Sequence, residues 1–259
     1  MTSSPLSPLV RWTLLAGSAV FLTACGAVHN AGMWFPNSFG TVAVNPKLYV
    51  EPAMRAEQLE ELQRQIEIGR ARVERFYGGV TTTPYFVACV TPECAAHFGS
   101  YGERAAAFGD TAIRLSPNGL SAPLIAHEWS HVELYHRVGG WRHVQNIPRW
   151  FDEGVAVVVA DEPRHSEENW REIQRRGLPT PSLSELIARS DWATAVRKYG
   201  ETEIDDPNNL RSVYSTAGHE LRRWLSCAGP SGVLALLAAV RGGEAFDVAY
   251  GRIGRACAG

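Results

Sequence analysis

The chain has 259 residues, of which 45% are hydrophobic and 20% charged, with a formal net charge of -2. That balance suits one compact unit with a core of ordinary size, and it excludes a disordered chain. It also removes nucleic acid as an expected partner, because such partners select clustered Lys and Arg, and the arginines here are scattered.

Residues 1–24 read as an export signal. Arg11 supplies the only charge, Trp12 to Ala24 is apolar or small, and the segment runs into Leu22-Thr23-Ala24-Cys25. The apolar stretch is too short to span a bilayer. The tetrad resembles the lipobox of bacterial lipoproteins, in which the cysteine is acylated and becomes the first residue of the mature chain. That resemblance implies a membrane anchor through lipid on Cys25. Gly26, rather than Asp, follows the cysteine, which by the same resemblance points to the outer membrane, facing the periplasm.

Residues 25–52 mix Gly, Asn and Pro with isolated aromatics and are expected to be an irregular tether. The remainder, 53–259, is expected to form a single domain. Leu59, Leu62, Ile66, Val73 and Phe76 recur at helical spacing between Met54 and Tyr77, and Gly78-Gly79 stops the pattern. Pro84 to Val90 and Thr111 to Leu115 read as strands. Beyond them the chain reads as helical over Pro123 to Arg137, Trp150 to Ala160, Glu167 to Arg175, Leu183 to Arg189, Ser212 to Cys227 and Gly232 to Val240. An α+β class follows, with a small mixed sheet ahead of a mainly helical half.

Four cysteines follow Cys25, and an even number in an exported chain favours disulfides. Sequence alone allows three connectivities. The preferred one joins Cys89 to Cys94 and Cys227 to Cys257. A four-cysteine zinc site lacks the paired spacing such sites use.

His127-Glu128-Trp129-Ser130-His131 is an HExxH motif on a predicted helix. Histidines four apart project from one helical face, one turn apart, so both imidazoles reach a single ion. Glu128 is rotated by about 100° from His127, toward water in the metal's open position, where it serves as general base. Zinc then needs a third protein ligand.

Ile147-Pro148-Arg149-Trp150-Phe151-Asp152-Glu153-Gly154-Val155-Ala156 follows. A Pro, then Trp, then Glu-Gly-x-Ala shortly after HExxH resembles the second helix of the gluzincin superfamily, which includes thermolysin and the membrane alanyl aminopeptidases. The resemblance covers roughly Thr111 to Ala249. It implies a zincin-like fold in which Glu153 joins His127 and His131 as a zinc ligand, with Gly139-Gly140 turning the chain between two helices that Gly154 lets approach. It also implies that Thr111 to Leu115 is the edge strand beside the cleft, available to an extended peptide. The metzincin pattern is excluded by Leu134 and Arg137. His143 reads as a loop residue, and Asp152 as a surface or supporting carboxylate rather than a ligand. Val155 and Val157 to Val159 favour strand by propensity, so the helix there rests on the resemblance.

Val213-Tyr214-Ser215-Thr216-Ala217-Gly218-His219 resembles the gluzincin segment whose phenol stabilises the oxyanion. Tyr214 matches that position, with His219 as the alternative donor, as a histidine serves in thermolysin. The expectation is a lipid-anchored zinc peptidase acting on peptide or protein substrates, catalytic through Glu128 and Tyr214. No counterpart of the exopeptidase motif is present, so endopeptidase action is expected. The rival expectation is a non-catalytic envelope lipoprotein that uses a peptidase-like fold for binding.

Overall fold

The computed structural model describes residues 32–199 and 211–255. The segment read as an export signal lies outside the described residues, with Cys25, as does Cys257.

The class is α+β. Five strands, β1 (Val42–Asn45), β2 (Leu48–Val50), β3 (Tyr85–Ala88), β4 (Ala105–Phe108) and β5 (Ala112–Leu115), form one mixed sheet in the order β1-β2-β3-β5-β4. β2, β3 and β5 run parallel, while β1 and β4 are antiparallel to their neighbours. Alternation along the strands separates two cores, because successive side chains leave a strand on opposite faces. Phe86, Ala88, Ile113 and Leu115 enter the main core, whereas Val87, Cys89 and Ala112 meet Met33, Ala95 and Phe98 on the other face.

Two expectations are corrected here. Residues 42–50 are paired strands, so the irregular tether does not extend to Pro52. The strand read at Thr111 to Leu115 is interior, bonded on one side to β3 and on the other to β4. The edge on that side of the sheet is β4, which the sequence reading passed over; β1 is the other edge.

Nine helices among the described residues cover or follow the sheet. The first is α1 (Ala56–Tyr77), and a short α2 (Pro92–His97) is tied back by the Cys89–Cys94 disulfide. Next come α3 (Ala122–Val138), the short α4 (Trp141–Val144), α5 (Arg149–Ala160), α6 (Glu167–Arg175), α7 (Arg189–Lys198), α8 (Ser212–Arg241) and α9 (Phe246–Arg255). α3 packs against α1, α5 and β4. Between α3 and α4 the chain turns on Gly139 and Gly140, whose φ values of 95° and 77° suit glycine.

α5 is helical despite its valines. Val155 and Val157 are fully buried, so packing on several sides overrides local preference. Gly154 does permit a close approach, but to α8 rather than to α3: a Cβ there would lie 2.7 Å from the Ala217 carbonyl oxygen. The two helices read between Ser212 and Val240 are present: α8 is broken at Gly229, whose backbone is non-helical, just before Pro230. By length and composition α8 is apolar enough to cross a membrane. Its Val213, Leu221, Leu236, Leu237 and Val240 are instead buried in the main core, so it serves the domain.

Candidate metal centre

His127 and His131 sit one turn apart on α3, with ring centroids 4.9 Å apart. From α5, Glu153 Oε2 lies 3.2 Å from His127 Nε2 and 3.6 Å from His131 Nε2. Two donors bound tetrahedrally to one zinc at ordinary bond lengths stand about 3.3 Å apart. The observed separations bracket that value. Glu153 is 2% exposed, and its Oε2 is buried without a hydrogen bond, facing the two imidazole nitrogens, a position that suits a shared cation. The three side chains therefore fit a divalent metal ion.

Further contacts fix the three side chains in place. His131 Nδ1 lies 2.6 Å from Asp152 Oδ1. Asp152 is held below the usual carboxylate range: burial opposes its charge, but His131 and Arg149 outweigh that, so it is ionised and Nδ1 must be the donor. That leaves Nε2 as the nitrogen facing Glu153. Glu153 is likewise held well below its ordinary value, because Arg149 and His131 outweigh its burial. In the metal-free chain, burial disfavours charge on His131, yet the carboxylates of Asp152 and Glu153 raise its pKa to about 10. A metal arriving at Nε2 displaces that proton.

The remaining expected residues are placed as follows. Glu128 is buried on α3 next to His127. The Tyr214 ring, near the start of α8, is 6.2 Å from the His127 ring, is stacked on His165 at 5.0 Å, and meets the Trp192 ring edge-on. His219 is directed elsewhere, with Nδ1 2.9 Å from Glu167 Oε1 and its ring stacked on Trp170. Of the two expected oxyanion donors, Tyr214 borders the histidines. His143 lies 3.4 Å from the Gly139 carbonyl and outside the ligand cluster.

Asp152, read as either a surface or a supporting carboxylate, takes the supporting role: it is buried and lies directly against His131 Nδ1. Two other residues escaped the sequence reading. Arg149 contacts both Asp152 and Glu153, a link signalled only by a basic residue three and four positions before two acids. His165 is buried against Tyr214, and burial together with the nearby His127 and arginines holds it neutral, well below its ordinary pKa.

A further group, Glu51 with Cys89 and Cys94, is not a ligand set, because the sulfurs are bonded to each other. Glu51 instead accepts hydrogen bonds from Val90 N, Thr91 N and Thr91 Oγ1. The Cys227 sulfur lies 3.3 Å from the Gly254 carbonyl at the end of α9, while its expected partner Cys257 is outside the described residues.

The chain matches no protein-family model, and no curated protein matches it.

Proposed function

We propose that this chain is a zinc-dependent peptidase of gluzincin type, in which His127, His131 and Glu153 hold the zinc, anchored in the bacterial envelope through Cys25. The observation that carries the proposal is the approach of one unpartnered carboxylate oxygen to two imidazole nitrogens at ligand-to-ligand spacing. Nitrogen and carboxylate donors suit zinc, and two neutral imidazoles with one carboxylate leave a position open. Zinc in such a set supplies Lewis acidity and brings the loss of a proton from water into the neutral range.

The chain's own residues supply the rest. Glu128 takes a proton from the attacking water and returns it to the leaving amine. The Tyr214 hydroxyl donates a hydrogen bond to the carbonyl oxygen as negative charge develops there, with the stacked His165 and the Trp192 edge holding the ring. β4 offers its outer backbone edge to an extended substrate, which would pair through main-chain hydrogen bonds. That mode favours peptides over compact amides and accords with endopeptidase action.

Elemental analysis with peptide-library cleavage tests the reading. One zinc per chain, with cleavage abolished by chelation and restored by zinc, is the expected result. Stoichiometric zinc without cleavage of any peptide would instead favour the envelope binding module. The anchor is tested separately by intact mass, where absence of acyl mass on Cys25 would remove it.

A further inference from the structure

We propose that Arg149 is a positioning residue that makes Glu153 a one-oxygen ligand, so that the metal keeps an open coordination position. The inference rests on the metal reading above.

Arg149 opens α5 and its backbone N–H donates to the Ile187 carbonyl at 2.7 Å, which fixes the root of the side chain. Its Nη1 donates to Asp152 Oδ2, and its Nη2 lies 2.5 Å from Glu153 Oε1. Each carboxylate is thus bound at one oxygen by the same planar fork. The other oxygens have separate destinations: Asp152 Oδ1 takes the His131 Nδ1 proton, and Glu153 Oε2 faces the two imidazole Nε2 atoms.

A free carboxylate can chelate a cation with both oxygens, and that would occupy the position that water and substrate need. With Oε1 committed to a guanidinium, only Oε2 is available. The Arg149 Nε meanwhile remains buried without an acceptor, so the fork is placed for the two carboxylates at the expense of its own third donor. Its positive charge also offsets two adjacent buried carboxylates that would otherwise repel each other before any metal arrives. Lysine cannot reproduce this, because a point charge does not span two acceptors in fixed geometry.

The test uses the full chain in metal-free form, as wild type, R149K, R149M and D152N. Zinc affinity is read by competition with a chromophoric chelator, coordination by the visible spectrum of the cobalt-substituted chain, and folding by far-UV circular dichroism. Both Arg149 variants should bind zinc about 10–100-fold more weakly. Their cobalt spectra should lose the intense bands of a four-coordinate ion in favour of the weak bands of a higher-coordinate one. D152N keeps the link from Arg149 to Glu153, so it should weaken affinity while retaining the four-coordinate spectrum. R149K keeps the charge and guards against failure of R149M to fold. Folded Arg149 variants with wild-type affinity and a wild-type cobalt spectrum overturn the inference. A wild-type chain that binds no zinc overturns the metal reading itself, which separates the two failures.

Discussion

Replacing Gly154 with alanine sets two opposed effects against each other, and the structure decides between them. In an exposed helix the change would stabilise by about 1 kcal/mol, since alanine loses less backbone freedom than glycine. Here the new Cβ would meet the Ala217 carbonyl oxygen at 2.7 Å, with Ala217 C and Leu221 Cβ each at 3.2 Å. Those are backbone and near-backbone atoms of a buried helix, so no flexible side chain can yield. α5 must move off α8 by roughly 0.5 Å to restore ordinary contact. Overpacking of this kind costs about 1–3 kcal/mol, and the upper part of that range applies where backbone meets Cβ. A net loss of about 1–2 kcal/mol remains, which lowers the melting temperature by roughly 2–8 °C for a domain of this size. Because Glu153 is the preceding residue on α5, the same shift lengthens its approach to His127 and His131, and zinc affinity should fall with stability. Thermal melts of the metal-free chain and chelator competition for zinc read the two effects. A G154A chain that melts higher than wild type and binds zinc equally well would refute the reasoning, because propensity alone would then have governed.

Three further outcomes follow from the same geometry. E128Q should retain zinc while turnover of a cleaved peptide falls by about 10²–10⁴, the usual share of a general base; preserved turnover would remove Glu128 from the proton transfer. Y214F should lower kcat by about 10²–10³ at nearly constant KM, and an equal change in KM alone would assign the phenol to substrate binding instead. Glu133 is fully buried and held below its ordinary value of 4.5: burial raises its pKa, but hydrogen bonds from Thr82 and Thr81 outweigh that. Its contribution is therefore complete above 4.5 and is lost as pH falls through the lower folded value, so E133Q should cost about 3–5 kcal/mol at pH 7 in urea unfolding, and less under acid conditions. A wild-type-to-variant gap that stays constant between neutral and strongly acidic pH would contradict this.

The candidate ligands were legible because they are spelled locally. Histidines four apart define a helical face by themselves, and Trp150 with Glu153-Gly154 marks a second helix by resemblance. What escaped depended on partners distant in sequence. β4 contains Ala105, Ala106 and Ala107, which have little intrinsic strand preference, and it forms because β5 and α3 supply a partner and a cover. β1 and β2 have four and three residues, too few for alternation to show, and their register shifts between Ala43 and Asn45. α7 has only Trp192 and Ala195 buried, so it carries no periodic apolar signal, although Trp192 packs on Tyr214. Which of its two readings Asp152 takes could not be settled locally, for the same reason. Its partner His131 is 21 positions away, and only the crossing of α3 and α5 brings them to 2.6 Å.

α3 is secured on the side away from its ligands. With about 100° between successive residues, Trp129 and Glu133 project on the face opposite His127 and His131. On that rear face Glu133 accepts from the backbone and hydroxyl groups of both Thr81 and Thr82 at 2.6–2.8 Å, and Arg137 Nε adds a further bond at 2.7 Å. The Trp129 indole N–H donates to Thr82 Oγ1, so the same loop grips the helix twice. α5 has a further seat on α8, where Gly154 of α5 passes close to Ala217 and Gly218 of α8 passes close to Val157. Each half of the candidate ligand set thus has an anchorage of its own, in addition to the packing of α3 on α5 and the contact between His131 and Asp152. The two perturbations should then separate: E133Q weakens the fold, but its folded molecules bind zinc normally, whereas G154A lowers stability and zinc affinity together. Equal loss of zinc affinity in folded E133Q would show instead that α3 has no anchorage of its own and takes its position from the ligand cluster.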